Sequence, residues 1–136
     1  MRIMGLDVGE KRIGIALSDP LGWTAQGHSV LLRKNAAYDF AVLTDICQQY
    51  AVEKIIVGYP INMNGTIGPK AREIEKFARE LGEKTLLPIK LWDERLSTHS
   101  AERTLLEADV SRKKRKQVID KLAAVNILQA YLNSLG

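Results

Sequence analysis

Residues 2–18 read RIMGLDVGEKRIGIALS. Two apolar, β-branched runs, RIMGLDV (2–8) and RIGIALS (12–18), flank the short polar turn GEK, which predicts two antiparallel strands in a hairpin. Within the first run alternation puts Asp7 on the same strand face as Ile3 and Gly5. A carboxylate inside a central strand is costly unless it is paired or bound to metal. The flanking Gly5 and Gly9 remove side chains and would let a ligand approach the backbone. The alternative is a strand-end carboxylate that accepts from the amides of the GEKR turn.

Working outward, QGHSVLLR (26–33) follows the turn-rich DPLGW and reads as a third strand. Residues 38–50 have a helical period, with Phe40, Leu43, Cys47 and Tyr50 on one face. KIIVGYP (54–60) is a short apolar run closed by Gly58 and Pro60, as in a buried strand. The loop INMNGTIG (61–68) then leads to a helix starting near Pro69. Ala71, Ile74, Ala78 and Leu81 stripe it, and Gly82 is expected to close it. PIKLWD (88–93) is a fifth strand. Ser97 or Thr98 can cap a helix through about Ala108, and a final helix is expected over 118–134. The order βββ-α-β-α-β-α-α predicts one α/β domain, residues 1–136. Its core would be a mixed five-stranded sheet, an antiparallel meander extended by parallel βαβ units, with helices on its faces.

The composition is that of a globular chain, 46% hydrophobic and 26% charged over 136 residues. No apolar run approaches the roughly 20 residues needed to cross a bilayer, so no membrane partner is expected. The single cysteine, Cys47, cannot form an internal disulfide, which agrees with a cytoplasmic protein. The chain has a net charge of +4, yet Arg112, Lys113, Lys114, Arg115 and Lys116 supply five of its 20 basic residues. Without them the net charge is −1, so one segment, read as a loop, holds the whole excess. Such a run is either a solvated stretch or a contact for phosphates, where clustered Lys and Arg release counterions.

Three acidic positions carry chemistry. Asp7 is the first. Asp93 and Glu94 lie at the carboxyl end of the fifth strand, the edge where open α/β sheets bind ligands. Their side chains point to opposite faces, so only one of them can share a site with Asp7; solvated acids with Arg95 as an ion-pair partner are the alternative. Asp120 shares a helix face with Ala124, Ile127, Leu128 and Tyr131, which turns it toward the sheet. An acid in the first turn of a helix, favoured by the dipole, is the other reading. The small pair Ala123 and Ala124 allows close helix–sheet approach. Converging carboxylates hold Mg²⁺ or Mn²⁺, and two such ions can activate water against a phosphodiester. His28 and His99 are isolated and lack zinc-ligand spacing, and no Walker-type Gly-Lys-Ser/Thr ending is present.

GLDVGEKRIGIALSD, VGYPINMNGTIGPKA, WDERLST and DKLAAVNILQAYL resemble, in order, four sequence blocks of the bacterial YqgF family, also called RuvX. The resemblance spans nearly the whole chain. It implies a ribonuclease-H-like fold and a metal-dependent nuclease, a hydrolase acting on structured RNA in the processing of the 5′ end of pre-16S rRNA. It also implies a three-acid site of Asp7, Glu94 and Asp120 holding two Mg²⁺ or Mn²⁺ ions, and it is the resemblance that selects Glu94 over Asp93. The basic residues 112–116, with Asn62 and Asn64 of the loop, are the expected nucleic-acid contacts. RuvC resolvases carry a second aspartate three residues along the last helix, where this chain has Ala123. Cleavage of branched DNA is therefore the alternative activity, and a non-catalytic nucleic-acid-binding module is the alternative of another class. An actin- or sugar-kinase-like ATPase shares the Asp-x-Gly hairpin but needs a second domain. For assembly the expectation is a monomer or a weak homodimer.

Overall fold

The hairpin forms as its alternation predicts, from β1 (Arg2–Val8) and β2 (Arg12–Ser18), with Asp7 opposite Gly14 and Gly5 opposite Ala16. The computed structural model describes residues 2–96 and 112–135, with side chains of the last helix from residue 119 onward. β3 (Ala25–Leu32) pairs antiparallel with β2; β4 (Val52–Tyr59) pairs parallel with β1, and β5 (Ile89–Asp93) parallel with β4. The sheet order is β3-β2-β1-β4-β5, the mixed α/β arrangement expected from the order of elements. The predicted helix over 97–108, its cap at Ser97 or Thr98, and His99 lie outside the described residues.

Two cores sandwich the sheet. Met4, Leu6, Val8, Ile13, Ile15, Ile55 and Val57 point to one face, covered by α1 (Ala36–Gln49) and α2 (Pro69–Thr85). Ile3, Ala16 and Ile56 point to the other, where α3 (Arg112–Leu135) brings Ala124, Ile127, Leu128, Tyr131 and Leu132. Each fully buried side chain of this size contributes roughly 1.5–3 kcal/mol. The α3 helix also rests on glycines. A methyl added at Gly5 would lie 2.6 Å from Leu128 Cβ, and one at Gly14 only 2.0 Å from the Asp120 carbonyl oxygen. Gly5 therefore admits the protein's own helix, not a ligand. Gly9 serves the turn, donating its amide to the Arg12 carbonyl at 2.8 Å.

Three helix boundaries differ from the sequence reading by more than one residue, each for a local reason. α1 starts at Ala36 because the Asn35 side chain accepts from the Tyr38 amide at 2.8 Å, a strong N-cap. α2 starts at Pro69 as expected but passes through Gly82, whose open side packs against Ile89. It ends at Leu86, which takes the left-handed conformation (φ 60°) and donates its amide to the Gly82 carbonyl at 2.9 Å. α3 begins at Arg112, so the basic run is helical backbone rather than a loop. Arg and Lys are good helix formers, and the helix contains neither Gly nor Pro. No described helix is long and apolar enough to cross a membrane.

Candidate active site

Asp7 is the next-to-last residue of β1, and its strand face is the one covered by α3. The register sets Gly14 beside it on β2, while on β4 the pairing Leu6↔Val57 leads to Gly58. These two glycines form a floor without side chains. Over Gly14 lies the Asp120 backbone; over Gly58 lies Glu94, whose Oε1 would stand 2.7 Å from an added methyl. The side chains of Asp7 and Glu94 are hydrogen-bonded together, and Asp120 is near enough to act on Asp7 electrostatically. Asp7, Glu94 and Asp120 are thus brought to one sheet edge, each partly buried.

The electrostatics follow from this crowding. Burial first, then the charges of Glu94 and Asp120, push the Asp7 carboxyl up from 3.8 to about 7, with the hydrogen bond to Glu94 adding to the effect. The positive charge of Lys70, the second residue of α2, opposes the rise. Desolvation disfavours the charged form and like charges add to it. The turn-amide reading of Asp7 finds no support, because the Gly9 amide goes to Arg12 instead. The first-turn reading of Asp120 also fails, since α3 begins eight positions earlier, at Arg112.

Asp93 and Glu94 separate as strand alternation requires. Trp92 packs on the α3 side and Leu91 on the α1/α2 side, so Asp93 follows Leu91 away from the acids. Asp93 instead accepts from Arg95 Nη2 at 2.8 Å and from the Arg95 amide at 2.9 Å. These bonds hold its carboxyl below the ordinary 3.8. Glu94→Gln is accordingly expected to lose activity by a factor of ~10³ or more, the scale of removing a direct transition-state contact. Asp93→Asn should keep most activity and lose at most ~1 kcal/mol of stability, as for an exposed ion pair. Turnover and thermal unfolding of the two variants check this; exchanged phenotypes would show that Asp93 is the acid that works with Asp7.

The fit to a divalent cation is good in chemistry and incomplete in geometry. Carboxylate oxygens are the donors a hard cation takes, and the Asp7–Glu94 pair is a site whose repulsion a dication would relieve. Among the described residues, however, no three His, Cys, Asp or Glu side chains are grouped closely enough to hold one ion. The third acid is engaged elsewhere: Asp120 Oδ2 accepts from Arg12 Nε at 3.1 Å.

The remaining expected contacts divide. Asn62 and Asn64 are exposed and shape their own loop. Asn62 Nδ2 donates to Thr66 Oγ1 at 3.0 Å, and Asn64 Oδ1 accepts from the Thr66 amide at 3.1 Å. Residues 112–116 lie on α3 a turn and more before Asp120; their side chains are outside the described set. His28 is a packing residue, bonded to Ser29 Oγ at 2.7 Å and edge-on to the Tyr50 ring. The sequence reading missed Gly14, Gly58, Arg12 and Lys70. It also missed the buried Asp39, which accepts from Arg33 Nε at 3.0 Å while Arg33 Nη1 donates to the Gly9 carbonyl at 2.8 Å. That bridge braces the turn that follows Asp7.

Comparison with known proteins agrees with this arrangement. Residues 1–134 match the family model RuvX, described as Holliday junction resolvase. A relative from Syntrophomonas wolfei is 65% identical over 100% of this chain and 98% of its own, and one from Moorella thermoacetica is 57% identical over 100% and 97%. Both have the provisional name pre-16S rRNA nuclease. Among solved structures, Thermus thermophilus RuvC in complex with a Holliday junction superposes with a TM-score of 0.63 at 14% identity, covering 100% of this chain and 96% of that one. The fowlpox virus Holliday junction resolvase gives 0.57 at 16%, with both chains covered in full. At such identities the likeness is one of fold, the ribonuclease-H-like fold of resolvases.

Proposed function

Because the chain belongs to the RuvX family, we propose that it is a divalent-metal-dependent nuclease that hydrolyses phosphodiester bonds of structured RNA, trimming the 5′ end of pre-16S rRNA. The observation that carries this reading is the bonded Asp7–Glu94 pair, with Asp120 beside it on a floor of glycines. Asp7 and Glu94 would hold Mg²⁺ or Mn²⁺, in one or two ions, with Asp120 completing the set from α3. Bound there, the metal supplies a Lewis acid for the scissile phosphate and a water of lowered pKa. The chain's own part is to keep the carboxylates together at the sheet edge, where Gly14 and Gly58 let the Asp120 backbone and the Glu94 side chain come close to the strands. Lys70 adds a positive charge at the same rim. Cytosolic work suits the single cysteine, Cys47, a buried thiol whose pKa burial pushes to about 11.

Branched DNA is the second reading, favoured by the description of the family model. Ala123 stands against it, since the RuvC-type second aspartate of the last helix is missing. A cleavage panel of pre-rRNA fragments, single strands and four-way junctions, each with Mg²⁺ and Mn²⁺, tests both. Cutting of the RNA fragments supports the proposal, and cutting of junctions alone replaces it with the resolvase reading. Binding without cleavage under either metal would leave a non-catalytic module.

The basic run belongs to this reading as a site for backbone phosphates. Residue 112 lies eight positions before Asp120 on one helix, about 12 Å along its axis. Neutralising Arg112, Lys113 and Lys114 is expected to weaken binding alike across sequences. It should also shallow the slope of log K against log salt, by up to about 0.9 for each duplex phosphate no longer neutralised, or about 0.7 for single strands. Turnover at saturating substrate should change far less, because no metal ligand is touched. Affinity measured at several salt concentrations decides it, and an unchanged slope would make the run an ordinary solvated stretch.

A further inference from the structure

Arg12 is the first residue of β2, and its backbone is fixed by the Gly9 amide at 2.8 Å. Its guanidinium therefore stands at the rim of the three acids. Its Nε donates to Asp120 Oδ2 at 3.1 Å, with both side chains about one quarter exposed (25% and 27%). That oxygen belongs to the carboxylate the metal reading needs as its third ligand. A guanidinium and a dication brought to the same carboxylate repel each other, so binding of one there would weaken binding of the other. The bond to Asp120 uses Nε. Among the described residues the two terminal nitrogens of Arg12 make no hydrogen bond, and they are the fork that suits a phosphate.

Resting on the nuclease reading, we propose that Arg12 exchanges partners between Asp120 and the nucleic acid. A divalent cation displaces it from Asp120, and the released guanidinium takes a phosphate oxygen of the nucleic acid. Metal binding and nucleic-acid binding are then coupled through one side chain. The same arrangement disfavours productive nucleic-acid binding before the metal has arrived.

The test separates the two ligands and needs no cleavage. Mn²⁺ affinity is measured by calorimetry on metal-free protein without nucleic acid. RNA affinity is then measured with and without Ca²⁺, used as a dication to support binding. Arg12→Gln is expected to bind Mn²⁺ more tightly, by roughly tenfold, within the usual range for a coupling between sites. Wild type should bind RNA more tightly with Ca²⁺ than without, and Arg12→Gln should lose most of that gain. Arg12→Lys, which keeps the charge but not the fork, should hold near-wild-type Mn²⁺ affinity and still lose much of the coupling. Circular dichroism confirms that both variants are folded. Unchanged or weaker Mn²⁺ binding by Arg12→Gln, a coupling equal to wild type, or no Mn²⁺ binding by either protein each overturns the exchange. Failure of the nuclease reading is distinguishable, because it shows as absent cleavage in wild type whatever these affinities are.

Discussion

Asp7→Asn is expected to abolish cleavage, by a factor of ~10³ or more, while making the metal-free protein more stable above neutral pH. The activity loss follows from removing the carboxylate at the centre of the acidic group, at a scale of several kcal/mol in the transition state. The stability gain follows from linkage. In the folded chain Asp7 keeps its proton to about pH 7, against an ordinary value of 3.8. Between those limits the folded state binds more protons than the unfolded one, so stability falls as pH rises through that window and stays lower above it. Asparagine has no such charge to bury. A three-unit rise corresponds to at most about 4 kcal/mol. Partial solvent access and the shared charge of Glu94 reduce this, leaving a gain on the order of 1–2 kcal/mol at pH 8 and almost none near pH 4. Thermal unfolding with chelator at both pH values, alongside turnover with Mg²⁺, checks both halves. Wild-type turnover by Asp7→Asn would end the metal-site reading; a stability gain that does not depend on pH would end the electrostatic one.

Gly14→Ala should be the most damaging single methyl in the described structure. The added carbon would lie 2.0 Å from the Asp120 carbonyl oxygen and 2.7 Å from its carbonyl carbon. Both are backbone atoms, so no side chain can swing aside, and either α3 lifts or β2 bends. Overpacking a core typically costs about 1–3 kcal/mol, and a backbone-on-backbone clash belongs at or above the top of that range. A cost of ~3 kcal/mol would lower Tm by about 10 °C in a chain of this length. Because the helix is displaced at Asp120 itself, activity should fall further than the folded fraction does. Gly27→Ala is the matched control on the same sheet, since its methyl would meet Lys121 at 3.6 Å, ordinary contact. The measurement is Tm with residual activity at a temperature where both variants are folded. Equal behaviour of the two alanines would remove the close helix crossing from the account.

The strands are legible because each is a local pattern: the alternating runs 2–8 and 12–18, and the unbroken apolar run before Gly58 and Pro60. Pro69 marks the start of α2 for the same reason. Sequence and structure part where one residue type has two uses. Gly82 reads as a terminator, but its missing side chain makes room for Ile89. The run 112–116 reads as a loop for its charge, although Arg and Lys favour helix. In the site, Asp7 and Asp120 stand out as polar residues on apolar faces. Alternation shows that Asp93 and Glu94 must part but not which one turns to Asp7, since both sheet faces are covered. Gly14, Gly58 and Arg12 are not legible, because their meaning depends on where α3 crosses strands far away in sequence. The pairing of Gly5 with Ala16 and of Asp7 with Gly14 is the one signal that could have marked the crossing, as a lane of small residues across a predicted hairpin.

On the proposed site, that crossing would also set when the enzyme can first act. Arg12 and Asp120 meet across 108 positions, so the contact cannot form until residue 120 has been made. At about 5–20 residues per second of synthesis, roughly 5–20 s separate the two ends of this contact on a nascent chain. Asp7 is already made when that interval opens and Glu94 is made within it, yet the sheet face that α3 will cover has nothing upon it. A hydrolase assembled from early elements alone would be competent beside the very message being translated. If Asp120 is the third acid of the proposed site, it comes with the helix that seals the second core, and burial of that core and the arrival of cutting power would be one event.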